Sequence, residues 1–296
     1  MLLDPGPKPL MKYFSKIASA VLIIGIVAFS AVQVKSQSYE VGLFGGLSTY
    51  KGDLQQSLFD YRQSRPAGGV LIRKNLNNHW AQRLALNFGT IAASDSKSDE
   101  GFKKNRNLSF RSRIMDIHYL IEFNFFPYQI ANPATFVTPF VFAGINVFTF
   151  NPQAELRGEW YDLQPLGTEG QGTSVYPERK KYNRIQIAIP FGGGMKFKIS
   201  RRFGVTVEAG ARRTYTDYLD DVSTTYADKS VLFAANGELS AILSDRSLDG
   251  QTVDNTNRQR GNASDNDWYM FTGISLNYTL SKKYSDNCKP FRGKLR

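Results

Sequence analysis

Asp116, His118 and Glu122 fall at even intervals within one stretch of the chain, and Asp217, Asp220 and Asp221 crowd a second. Two carboxylates beside a histidine could do general acid–base work, provided a nucleophile lies within hydrogen-bond reach of the imidazole. The sequence identifies no such nucleophile. Three carboxylates packed this closely could suit a hard divalent cation such as calcium. They lack the Asp-x-Asp-x-Asp-Gly spacing of an EF-hand, and a hydrogen-bonded turn would use the same side chains. The third candidate is Cys288, the single cysteine. A lone thiol in an oxidising compartment stays free, is modified, or pairs with another chain. One cysteine and two histidines cannot fill a closed tetrahedral zinc site.

These residues need elements to position them, and the dominant period is two. From Met115 to Phe125 one parity reads Met115, Ile117, Tyr119, Ile121, Phe123 and Phe125, while the other carries Asp116, His118, Leu120, Glu122 and Asn124. One face is apolar and the other largely polar, as in a strand that separates two environments. The same alternation sets Ile185, Ile187, Ile189, Phe191 and Phe197 against Arg184, Gln186 and Lys196. It sets Phe203, Val205 and Val207 against Thr206, Glu208 and Arg212, and Ile274, Leu276 and Tyr278 against Ser275 and Asn277. Weaker cases run from Ser38 to Tyr50, Ala67 to Leu76 and Trp80 to Ala92; Phe140 to Phe150 is apolar on both faces. Eight strands result, several of about the length that spans an outer membrane.

The chain of 296 residues is 42% hydrophobic, carries a net charge of +11 and has a mean hydropathy of -0.34. Only one apolar run approaches the length of a membrane helix, from Ile17 to Val34, behind Lys12 and Lys16. Basic start, apolar middle and the exit Val34-Lys35-Ser36 form a secretory signal, giving a leader over 1–36. An uncleaved anchor is the rival reading. Cleavage would remove four lysines against one aspartate and leave an exported, still basic chain.

Connection lengths choose between a sandwich and a membrane barrel. The links at Asn75–His79 and Ser200–Arg202 are tight and the one at Pro127–Pro139 moderate, whereas Asn151–Lys181 and Thr216–Asp267 are long. Short and long connections alternate strictly. The sequence therefore predicts an all-β fold over 37–281: an eight-stranded antiparallel transmembrane β-barrel with short periplasmic turns, long extracellular loops and both termini in the periplasm. Trp80, Phe123, Phe125, Phe126 and Tyr128 are expected in the periplasmic aromatic girdle, and Trp268 and Tyr269 in the outer one.

An interior of this size is filled by side chains. Asp116, His118, Glu122, Arg184, Lys196, Glu208 and Arg212 share lumen parity. Buried charges must be paired, so a lumenal ion-pair network is expected in preference to a catalytic site or an open pore. A basic tail over 282–296, with Lys282, Lys283, Lys289, Arg292, Lys294 and Arg296 against Asp286, would lie in the periplasm. There it would stay near anionic headgroups or an acidic partner, or simply be solvated.

Several segments resemble the PorG-type outer-membrane barrel family of Bacteroidota, over essentially all of the exported chain. They are Tyr39-Glu40-Val41-Gly42, Tyr50-Lys51-Gly52-Asp53, Gly167-Thr168-Glu169-Gly170, Ile189-Pro190-Phe191-Gly192, Thr216-Asp217-Tyr218-Leu219-Asp220-Asp221 and Cys288-Lys289-Pro290-Phe291. That family includes a component of the type IX secretion system. The resemblance implies a non-enzymatic outer-membrane protein, without cofactor, that anchors a periplasmic ring of a lipoprotein and its ring partner. It implies outer-membrane lipid as surroundings, with no nucleic acid or small-molecule substrate. It also implies that Cys288, Lys289, Pro290 and Phe291 contact the ring, with Cys288 in an intermolecular disulfide. A lipid-modifying barrel enzyme using His118, or an adhesin or receptor acting through its long loops, are the alternatives.

Overall fold

A computed structural model describes residues 38–131, 135–249 and 253–280. The expected leader over 1–36, the expected tail over 282–296, and with it Cys288, Lys289, Pro290 and Phe291, lie outside the described residues. Alternating polarity produces long, twisted antiparallel strands: β1 (Ser38–Lys51), β2 (Arg65–Asn75), β3 (Trp80–Ser94), β4 (Ser109–Asn124) and β5 (Val137–Thr149). A small hairpin, β6 (Pro152–Leu156) and β7 (Glu159–Asp162), leans on the end of β4. Then come β8 (Ile185–Lys198), β9 (Phe203–Thr214) and β10 (Trp268–Thr279).

Each of the eight long strands pairs on both edges. The order runs β3-β2-β1-β10-β9-β8-β5-β4, and β4 returns to β3. First and last strands are zipped antiparallel from Glu40 opposite Thr279 to Lys51 opposite Trp268. Closure leaves no open edge, the condition for a sheet in hydrocarbon. Among the described residues no helix is long and apolar enough to cross a membrane; the strands do the crossing.

Parity then sorts the side chains. Leu43, Val70, Phe88, Ile145, Ile187 and Ile274 project outward and are roughly half exposed or more. A continuous apolar belt of this kind greatly exceeds what a water-soluble monomer leaves uncovered. At the short-turn end it is rimmed by aromatics: Trp80 against Phe123 at 4.9 Å, Phe123 against Phe125 at 5.4 Å, and Phe203 against Tyr278 at 5.2 Å. From Tyr278 back to Trp268 along β10 the band rises roughly 25 Å at the usual strand rise and tilt, one hydrocarbon thickness for a barrel. Strand β5, ambiguous by sequence, turns Phe140, Phe142 and Phe148 inward and Val141 and Ile145 outward.

Two aromatic expectations are corrected. Tyr269 is fully buried and points into the barrel, because it occupies the opposite parity to Trp268. Tyr128 is also buried. The segment after β4 folds inward, with the Tyr128 amide donating to the Asn78 carbonyl at 2.8 Å, so its ring packs under the barrel and away from lipid.

Ile274, midway along the lipid-facing side of β10, provides the check on this orientation. Ile274→Arg should lower unfolding stability in vesicles by about 2–4 kcal/mol, as arginine does at the bilayer midplane, while Ile274→Val stays close to wild type. Urea titration followed by heat-modifiable gel mobility reads the effect; equal midpoints for both variants would contradict an outward Ile274.

Candidate functional site

The interior is solid, built in layers. Nearest the short turns, Glu122 sits fully buried among three cations. Its Oε2 accepts from Arg73 Nε at 2.8 Å and from Lys196 Nζ at 2.5 Å, and its Oε1 lies 2.9 Å from Arg83 Nε. Arg73 Nη1 reaches Glu40 at 2.8 Å and Arg83 Nη1 reaches Glu208 at 2.6 Å. Three carboxylates thus meet three cations, contributed by β1, β2, β3, β4, β8 and β9. Each charge removed from water here needs such partners, since an uncompensated one costs several kcal/mol. Leu120, Phe140 and Phe142 form the adjoining apolar layer. Arg83 and Lys196 lie over the Phe142 and Phe140 rings at 5.0 and 4.4 Å.

Toward the long loops Asp116 is the hub. It meets His118 Nδ1 at 2.5 Å and Arg212 Nε at 3.3 Å, and accepts from the Tyr269 hydroxyl at 2.8 Å and Asn146 Nδ2 at 2.7 Å. No serine, threonine or cysteine hydrogen-bonds His118 among the described residues, and its side chain is buried. Above this lies an aromatic plug that includes Phe44, Phe110, Phe148, Phe150, Tyr269 and Phe271. The interior is therefore polar at one end and aromatic at the other.

Of the residues expected in the lumen, Asp116, His118, Glu122, Lys196, Glu208 and Arg212 line it. Arg184 does not. It precedes β8, is 44% exposed, and binds Asn151 and Asp162 of the loop beside it. Parity holds only within a strand, and Arg184 is one residue outside. Missed in the sequence were Glu40, Arg73 and Arg83. Arg83 was on polar parity opposite Leu84; Arg73 was hidden in β2, whose alternation is weak.

The long loops fold over the mouth as a cap. Glu169 accepts backbone N–H bonds from Ser223 at 2.9 Å and Thr224 at 3.1 Å, the Thr224 hydroxyl at 2.7 Å and Arg260 Nη1 at 2.9 Å. Gly167 and Gly170 flank it at φ +58° and +87°, left-handed values that favour glycine. Asp221 accepts from the Thr168 and Tyr182 hydroxyls at 2.5 and 2.6 Å. Arg106 holds Asp95 through two bonds at 2.7 and 2.8 Å and donates to the Arg260 carbonyl at 2.6 Å. Arg106 Nη2 also donates to the Asp53 carbonyl at 3.1 Å, so the loops after β1, β3, β5 and β9 are joined, largely through charge-assisted bonds.

Asp217, Asp220 and Asp221 are thereby separated in role. Asp220 accepts from the Tyr50 hydroxyl at 2.5 Å, with Asp267 3.2 Å from the same oxygen. Burial raises both carboxyls well above their ordinary range, and neighbouring carboxylates raise them further. Asp217 is pushed up to about 9 by burial, with Asp220 and Asp53 adding to the shift against a Ser223 hydrogen bond. Its Oδ2 has no hydrogen-bond partner. Asp220 anchors the loop to Tyr50 at the barrel rim and accepts from the Val222 amide at 2.9 Å, as a turn would, while Asp221 ties it to the neighbouring long loop.

A closed eight-stranded barrel with an apolar belt, a packed interior and a loop cap defines the class: a β-barrel of the outer-membrane type. Residues 18–164 match the family model of a domain of unknown function, DUF6089. No curated protein sequence matches the chain. Among solved structures it is similar to the neisserial surface protein NspA, at 7% identity and a TM-score of 0.39, covering 82% of this chain and 99% of that one. It is similar to the attachment invasion locus protein Ail of Yersinia pestis, at 8% and 0.38, covering 83% and 99%. OprG of Pseudomonas aeruginosa gives 8% and 0.36, covering 83% and 98%.

Two measurements follow. Glu122→Gln keeps the shape but leaves Arg73, Arg83 and Lys196 short of one counter-charge, and should cost about 3–5 kcal/mol of unfolding stability; a variant as stable as wild type would show that the network is dispensable. The second concerns pH. Asp217 holds a proton in the folded cap that the unfolded chain releases, so cap stability should fall as pH rises from the ordinary 3.8 toward about 9. Hydrogen exchange at the Leu219 and Val222 amides, corrected for intrinsic rates, should show more frequent opening at pH 8 than at pH 5. Asp217→Asn should make that slope shallower, the remainder belonging to Asp220 and Asp267, which burial also raises; an unaltered slope would rule Asp217 out as a contributor.

Proposed function

We propose that this protein is a non-enzymatic outer-membrane component of the type IX protein secretion system, anchoring the periplasmic ring complex to the outer membrane. In this reading the long loops face outward and both termini lie in the periplasm. The observation that carries it is the sealed interior. With the lumen occupied by ion pairs and aromatics, this reading assigns the work to the outer surfaces and termini. The family resemblance supplies the partner: a ring lipoprotein and its companion, held by the short turns and the tail around Cys288. Two of the segments that carry the resemblance, 167–170 and 216–221, dock on each other in the cap through Thr168 and Asp221, supporting a shared design.

Mild-detergent capture of the tagged full chain followed by mass spectrometry should recover the ring proteins; capture that recovers no ring protein would defeat the proposal. His118→Ala should leave that recovery and the lipid A composition unaltered. Non-reducing gels should show a mixed disulfide in wild type that Cys288→Ser abolishes.

A further inference from the structure

At the long-loop end of the apolar belt the strand register sets three outward side chains side by side. Lys51 on β1 is paired with Trp268 on β10, and Trp268 with Arg213 on β9. Neighbouring strands lie about 4.8 Å apart, so the Lys51 and Arg213 side chains leave the sheet roughly 10 Å apart, on either side of the indole. Lys51 Nζ lies 5.9 Å from the Trp268 ring centroid, and the Phe191 ring meets that indole edge-on at 5.9 Å. Trp268 thus ends the lipid-facing surface where an indole commonly marks the headgroup level.

A cleft of about 550 Å³ opens here, with Lys51, Trp268 and Arg213 at its membrane-facing lip and Asp53, Asp217 and Asp265 of the cap behind them. Two of these carboxylates are hydrogen-bonded within the cap. Asp53 accepts from the Asn262 amide at 3.0 and 3.1 Å, and Asp265 from Asn262 Nδ2 at 2.9 Å. Burial keeps Asp217 largely protonated near neutral pH. Among the described residues neither Lys51 nor Arg213 has a carboxylate in ion-pair range. Arg111, another outward cation of the rim, is by contrast stacked on Trp160 at 3.6 Å. Two cations without a carboxylate partner, lining one cleft at headgroup depth, suit a phosphate, which a guanidinium binds through paired N–H donors and an ammonium as a point charge.

We propose that Lys51 and Arg213, with Trp268 between them, form a binding site for the phosphate of an outer-leaflet lipid headgroup. The chemistry recognised is that of a phosphate ester; continuity of the cleft with the lipid-facing belt selects a membrane lipid over a soluble anion. The occupant would place its phosphate between the two cations and lay its acyl chains along β9 and β10, beside Val207, Phe191 and Ile274.

The test is native mass spectrometry of the delipidated full chain in detergent, titrated with lipid A carrying or lacking its phosphates. Wild type should bind the phosphorylated form and discriminate against the other. Lys51→Gln combined with Arg213→Gln should weaken binding by roughly thirtyfold, the joint worth of two interfacial cations, whereas Arg113→Gln elsewhere on the rim leaves it unaltered. Inorganic phosphate at the same concentration should not displace the lipid. Equal binding of the two lipid forms by wild type, a comparison that needs no variant to fold, overturns the site. Wild-type affinity in the double variant does the same, and displacement by inorganic phosphate would assign the cleft to a soluble anion. Binding in micelles is read without regard to which end faces outward, so failure here leaves the secretion proposal standing.

Discussion

Water is absent from the core of a bilayer, so each backbone N–H and C=O that crosses it must find its partner within the chain. The pairing of β1 with β10, from Glu40 opposite Thr279 to Lys51 opposite Trp268, meets that condition for the last open edges. Much else follows. Once the ring is closed, each strand has one face toward lipid and one toward an enclosed space. The period-two pattern is the chemical imprint of that division. Every inward charge must then be satisfied by another inward charge, because no solvent reaches it.

Glu122 shows how this is solved. One carboxylate receives Arg73, Arg83 and Lys196, and two of those cations reach on to Glu40 and Glu208. The network ties strands distant in sequence across the interior, so it serves as internal bracing. At the other end the filling changes character. Phe148, Phe150, Tyr269 and Phe271 close the mouth, and Asp116 accepts from the Tyr269 hydroxyl and the Asn146 amide. The cap continues inward packing by a different means, with Glu169, Arg260, Arg106 and Asp221 binding the four long loops into one folded layer. Its cost is an unusual density of buried carboxyls around Tyr50, several of which must hold protons to coexist.

Particular residues show where sequence reasoning succeeded and where it failed. The face assignments on β4, β8, β9 and β10 were readable because alternation there is nearly unbroken, and strand parity is a local property. Arg184 was misplaced because parity says nothing about where a strand begins. Tyr269 was assigned to the outer girdle by its type and neighbourhood, although its position was one residue out of phase with Trp268. Arg73 was missed because β2 alternates weakly. The cap was unreadable: the side-chain partners of Glu169 lie 49 to 91 residues away, and no local pattern encodes them.

By itself the sequence determined the barrel. Eight alternating segments joined by connections that are short and long in turn specify strand number, facing and topology, since these depend on local periodicity and chain length. Only the tertiary structure decided which lumenal charges meet, that the mouth is sealed by aromatics, that the loops form a cap, and that Lys51 and Arg213 share a cleft beside Trp268. Those are relations between distant residues, set by register, closure and the requirement that nothing polar be left unpaired inside.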